Sequence, residues 1–132
     1  MAEKCDDLNN NCISGTDEGC DDDNDNYCDG AMATVGLPAA CPNGGGDCDD
    51  TDADVKPGLE ELCDNIDNDC NQLIDEGCDN DNDGYCDSLM DLVGTPDTCL
   101  FGGGDCDDTA SNVHPNAAEL CNGIDDNCDG QT

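Results

Sequence analysis

Apolar positions along this chain come as short islands between long acidic stretches, and none nears the ~20 residues of a membrane-crossing helix. One island, Pro57-Gly58-Leu59-Glu60-Glu61-Leu62, predicts a short helix, with proline at its start and acidic residues near its positive end. Two blander islands, Ala31 to Pro42 and Leu89 to Phe101, share Met, Val, Gly and Pro and read as small contributions to a core. Met32 and Met90, one per island, fit a gap-filling role better than copper ligation. Between the islands the pattern predicts loops.

The islands recur. Cys5, Cys12, Cys20, Cys28, Cys41 and Cys48 return 58 residues later as Cys63, Cys70, Cys78, Cys86, Cys99 and Cys106, and Cys121 and Cys128 begin a third series. This divides the chain into repeat 1 (3–60), repeat 2 (61–118) and a partial repeat 3 (119–132). The register starts and stops inside the same loop, which suggests a window on a longer tandem array.

The clearest polar pattern is Asp79 to Asp87, reading DNDNDGYCD. Acids at Asp79, Asp81, Asp83 and Asp87, with Gly84 at the sixth place and the Tyr85 carbonyl at the seventh, match the front of an EF-hand calcium loop. Calcium takes about six to eight oxygens, and crowded carboxylates need a cation between them. Met90 stands at the twelfth place, where an EF-hand has its closing glutamate, so that ligand must come from elsewhere. The first repeat offers Asp21, Asp23, Asp25, Tyr27 and Asp29, with Asn26 in place of the glycine; Asn tolerates positive φ better than most residues.

A second acidic loop precedes each of these. In repeat 2 its oxygen ligands are expected at Asp67, Asp69, Asn71, the Leu73 carbonyl and Asp75; repeat 1 has Asn9, Asn11 and Asp17, and repeat 3 has Asp125, Asn127 and Asp129. Each full repeat closes on GGGDCDDT. Its acids, Asp47, Asp49 and Asp50 or Asp105, Asp107 and Asp108, are candidates for the missing closing ligands. Failing that, they form a separate calcium site with Glu61 or Glu119. No lysine follows the glycines, so they do not form a phosphate cradle.

Composition sharpens the picture. A net charge of −33, with Lys4 and Lys56 the only basic side chains, excludes nucleic acid and anionic membranes as electrostatic partners. Two carboxylates about 4 Å apart repel by roughly 4 kcal/mol at an effective dielectric of about 20. Several such pairs converge in each loop, so cations should be structural. With no Trp, one Phe and two Tyr, the core is poor, and a chain with 14 Cys is expected to be held by disulfides in an oxidising, extracellular setting. There is no C-x-x-C, which argues against zinc. Pairing confined to each repeat would join Cys121 with Cys128, Cys5 with Cys12 and Cys63 with Cys70. Pairing across repeats would leave a terminal cysteine unmatched or matched to a neighbouring chain.

His114 is the single histidine and its repeat equivalent is Lys56, so it reads as an exposed loop residue rather than a copper ligand or base. Without a nucleophile–base pair in both repeats, an enzyme is not expected.

The runs CDNIDNDC, IDEGCDNDNDGYCD and GGGDCDDT together resemble the MopE-type repeat, over essentially the whole chain, and DNDNDG is also similar to thrombospondin type 3 calcium repeats. The MopE resemblance implies a secreted metal-binding module labelled copper-binding, whereas the hard carboxylates favour calcium. The expectation is a small, irregular, disulfide-rich and calcium-stapled repeat array with short helices and EF-hand-like loops, holding about two to three Ca2+ per repeat. Head-to-tail self-association into a fibre or surface stalk is expected, the Asp125–Asp129 half-site being completed by the following residues of a longer chain or by the next subunit's N-terminal segment. The alternatives are a copper scavenger and an acidic mineral-binding matrix protein.

Overall fold

The computed structural model describes residues 2–13 and 15–132. Four short strands are the regular structure among them: β1 (Tyr27–Asp29), β2 (Gly44–Asp47), β3 (Tyr85–Asp87) and β4 (Gly102–Asp105). β1 pairs with β2 and β3 with β4, in parallel in each case. Parallel strands need a long crossover, and the two bland islands supply it. Each crossover is closed at its base by a disulfide, Cys28–Cys41 in one and Cys86–Cys99 in the other.

The pairing slips by one residue, so that Asp29 faces Asp47 and Asp87 faces Asp105. The residues left over are Gly46 and Gly104, at φ +108° and +99°, a conformation that side-chain-bearing residues rarely adopt. The glycine run is therefore a bulge that delivers an aspartate.

The expected helix at 57–62 does not form, and no helix exists among the described residues. Leu59 N–H donates to Lys56 O at 3.4 Å with Gly58 at φ +82°, the geometry of a type II turn with Pro at its second place and Gly at its third. A helix cannot pass through that glycine. The matching turn in repeat 2 has Ala117 N–H on His114 O at 3.0 Å and Asn116 at φ +73°.

The chain divides into two compact units, Met1–Glu60 with Asn68–Gln72, and Glu61–Asp67 with Leu73–Thr132. The core of each is sulfur. Cys5, Cys20, Cys28 and Cys41 are fully buried together with Met32 packed against them, and Cys63, Cys78, Cys86 and Cys99 form the same cluster with Met90. Both methionines are thus packing residues. Leu89 and Phe101 lie at the surface, and Leu37 does too.

Six disulfides link the described cysteines. They are Cys5–Cys20, Cys28–Cys41, Cys48–Cys70, Cys63–Cys78, Cys86–Cys99 and Cys106–Cys128. Pairing confined to the repeat is overturned: Cys5 joins Cys20 rather than Cys12, and Cys70 joins Cys48 of the preceding repeat. Cys12 and Cys121 are free and exposed. By the 58-residue translation, the partners that their equivalents use fall outside residues 1–132. Among the described residues no helix is long and apolar enough to cross a membrane.

Candidate metal centres

The acidic loops fold by local hydrogen bonds that the sequence spacing dictates. In 79–85, Asp79 Oδ1 and Asp81 Oδ1 both accept the Asp83 N–H, at 3.1 and 3.2 Å. Asp79 Oδ2 accepts from Gly84 N–H at 2.9 Å, and Asp83 Oδ1 from Tyr85 N–H at 2.8 Å. The same four contacts recur in 21–27, between 2.7 and 3.2 Å. They recur again in 125–131, between 2.7 and 3.0 Å. Positive φ falls at the fourth and sixth places throughout, at Asn82 and Gly84, Asn24 and Asn26, and Cys128 and Gly130. Alternate carboxylates therefore face a common centre, and carboxylate oxygens of Asp21, Asp23 and Asp25 lie within 4.8 Å of one another.

The bulges bring the closing residue. Asp47 and Asp105 are 1% and 0% exposed, which for a carboxylate demands a partner. One oxygen of each accepts a backbone N–H, from Asp49 at 2.9 Å and from Asp107 at 3.0 Å. The other, Oδ2, is buried with no hydrogen-bond partner, as are Oδ2 of Asp23 and Asp25 in one unit and of Asp81 and Asp83 in the other. Burial, then the charges of Asp25 and Asp23, push the Asp47 carboxyl up to about 6. Burial and the charges of Asp83 and Asp81 push Asp105 up likewise. Asp23 and Asp81 are also raised, first by desolvation and then by their acidic neighbours. Four acids around buried oxygens that accept no hydrogen bond are the residues that could hold a cation here.

The other expected ligands make contacts of their own. Asp49 and Asp107 are exposed and accept from the Thr51 and Thr109 hydroxyls at 2.7 and 2.6 Å. Asp50 and Asp108 accept the backbone N–H of Asp22 and Asn80, at 3.2 and 2.9 Å, which ties the front of each loop to the segment after the bulge. Asp29 and Asp87 close local turns with Ala31 and Leu89. Tyr27 and Tyr85 open β1 and β3.

The second loops depart further. Asp75, expected at the ninth ligand place, is 3% exposed and accepts the N–H of Asp64 and Asn65 at 2.8 and 2.9 Å. Asp17 does the same for Asp6 and Asp7. Both acids anchor the chain after a core cysteine, because those N–H groups have no strand to pair with. Asn9 and Asn11 accept from Cys12 and Ile13 N–H. Asp69 accepts from Asn71 N–H at 3.0 Å.

Two residues differ from the sequence reading. His114 is half-buried rather than free in solvent, its ring stacked on Tyr85 with centroids 5.0 Å apart and planes at 10°. Lys56 places its ammonium 3.5 Å from Asp25 Oδ2, with that side chain fully buried. Its position as one of two cations beside 35 acids was the signal for this.

The cysteine groups close enough to hold a metal are disulfide partners, so they offer no thiolate. No curated protein and no solved structure matches the chain. A family model does: Cu-binding MopE, described as "Putative metal-binding motif", matches residues 5–33, 47–76 and 105–132. With three copies of the motif over more than half its length, the chain belongs to this MopE-type family of metal-binding repeats.

Proposed function

We propose that this is an extracellular, non-enzymatic repeat protein whose loops bind calcium and whose array serves a structural role, as a calcium-stabilised fibre or surface stalk. The observation that carries the reading is the buried Oδ2 of Asp47 and of Asp105, each without a hydrogen-bond partner beside two further buried carboxylate oxygens that accept no hydrogen bond. An all-oxygen, strongly anionic donor set suits calcium. The residues do not fit the copper of the family's name. Twelve cysteines are oxidised, and the one histidine is stacked on a tyrosine with its Nδ1 2.9 Å from the Pro115 carbonyl oxygen. The first ion of each unit would sit among Asp21, Asp23, Asp25 and Asp47, or among Asp79, Asp81, Asp83 and Asp105. Calorimetric titration should show stoichiometric calcium uptake, and copper binding that calcium displaces. Tight copper uptake untouched by excess calcium would reverse the assignment.

The structural role draws on the constant 58-residue translation and on Cys48–Cys70, which bonds one repeat to the next. Electron microscopy of the calcium-loaded protein should show thin filaments that dissolve on chelation. A calcium-loaded chain that stays monomeric at high concentration would leave only a calcium-binding module.

A further inference from the structure

The two cradles are built on the same backbone yet differ in one neighbour. In the first, the Lys56 side chain reaches Asp25 Oδ2 at 3.5 Å while its ammonium also donates to the Ala53 carbonyl at 2.7 Å. It is a quarter exposed and the acid it meets is not exposed at all, so the ammonium stands at the solvent edge of the cluster. The type II turn at Lys56–Leu59 fixes its origin, and Lys56 N–H is further held by the Asn68 carbonyl at 2.9 Å. In the second cradle the same turn carries His114, whose ring lies flat on Tyr85, and Asp83 Oδ2 is buried without a hydrogen-bond partner.

We propose that Lys56 is a tethered counter-ion that makes the Asp21/Asp23/Asp25/Asp47 site the weaker of the two, so that the sites fill in order, the second unit first. This rests on the reading of both cradles as calcium sites. A calcium ion entering the first site meets a positive charge that has already neutralised part of the cluster, and it must displace that charge from Asp25. Nothing comparable guards Asp83 among the described residues. Before metal arrives the ammonium relieves repulsion at the first site, which makes this cradle the one better able to stay closed when calcium is scarce. The second cradle gains more from the ion because it has no substitute for it.

Tyr27 and Tyr85 directly follow the two loops, so each can sensitise terbium luminescence from its own site. Tyr85→Phe leaves the first site visible and Tyr27→Phe the second. Calcium displacement of terbium from these two full-length variants should give an affinity about tenfold weaker at the first site, or about 1.4 kcal/mol. Adding Lys56→Met to the Tyr85→Phe chain should strengthen the first site by about that factor. Adding His114→Lys to the Tyr27→Phe chain should weaken the second. Equal affinities that neither substitution moves would overturn the tethered counter-ion while leaving calcium binding intact. Absence of terbium and calcium binding at both sites would instead overturn the underlying reading. Loss of fold in one lysine variant would show as lost near-ultraviolet dichroism, and the reciprocal variant then decides alone.

Discussion

The loops 79–85 and 125–131 have the same four hydrogen bonds, yet among the described residues buried carboxylate oxygens without a hydrogen-bond partner gather at the first and not at the second. Asp83 lies beside Asp105, delivered by a bulge two dozen residues further on, whereas Asp129 is exposed. The difference separates two things that a sequence motif runs together. The turn is a local matter of Asp and Asn side chains accepting nearby N–H groups. A cation site needs a further carboxylate whose desolvation is repaid only by the ion.

The strongest way to break this comparison is to remove the closing acid. Asp105→Asn keeps the shape and an oxygen for the Asp107 N–H but discards the charge. Calcium affinity of the second unit should fall about 100-fold or more, while the metal-free protein should melt higher because the repulsion is gone. Calorimetry and thermal melts with EGTA check both. A metal-free melting temperature that falls would mean that Asp105 serves packing alone.

A change of pH tests the same idea without mutation. The Asp47 carboxyl is raised to about 6, above its ordinary value. The folded metal-free chain therefore holds this proton more tightly than the unfolded one. Its contribution to stability is present at pH 4 and is lost as pH rises through about 6. Calcium must displace that proton, so uptake at the first site should weaken by roughly tenfold between pH 7 and pH 5. Affinity that is flat across that window would remove Asp47 from the ligand set.

Gly84 sharpens the comparison from the side of the turn. At φ +89°, and with a Cβ there only 2.8 Å from the Phe101 ring, Gly84→Ala should cost about 1–2 kcal/mol in denaturant melts. Gly84→Asn should cost less on the backbone, since Asn26 holds φ +79° at the equivalent place. The smallest effect is expected at Asn127→Asp. One more acid in a loop that gathers no buried, unpartnered carboxylate oxygen should change calcium affinity by no more than about twofold, and a large gain would show that the turn alone makes a site.

What the sequence made legible follows the same division. The spacing of Asp79, Asp81 and Asp83 is enough to specify their turn, because every partner lies within five residues. Asp47 and Asp105 were candidates through the missing twelfth ligand, but nothing in GGGDCDDT distinguishes them from Asp49 or Asp107. The bulge decides, by placing one acid inward and turning the next onto a threonine. Disulfide pairing was not legible for a related reason. A cysteine at position 5 can close a loop to residue 12 or to residue 20, and the choice belongs to the core that forms around Cys28–Cys41. The helix at 57–62 failed on Gly58. Lys56, one of two cations beside 35 acids, was readable as an ion-pair partner, but not as the partner of Asp25 in particular.

The Cys48–Cys70 bond has a consequence for the order of events in folding. Its second cysteine lies 22 residues downstream of the first and belongs to the following repeat. A chain emerging from its N-terminus can close Cys5–Cys20 and then Cys28–Cys41 as each partner appears, within one repeat. Cys48 must wait until the next repeat has begun. Maturation would then travel along the molecule with a lag, with Cys48 still reduced when Cys63 emerges and closing only once Cys70 follows. Trapping the free thiols of nascent chains arrested at successive lengths should show Cys48 and Cys63 both open once residue 63 is exposed, and Cys48 protected only after Cys70 has followed.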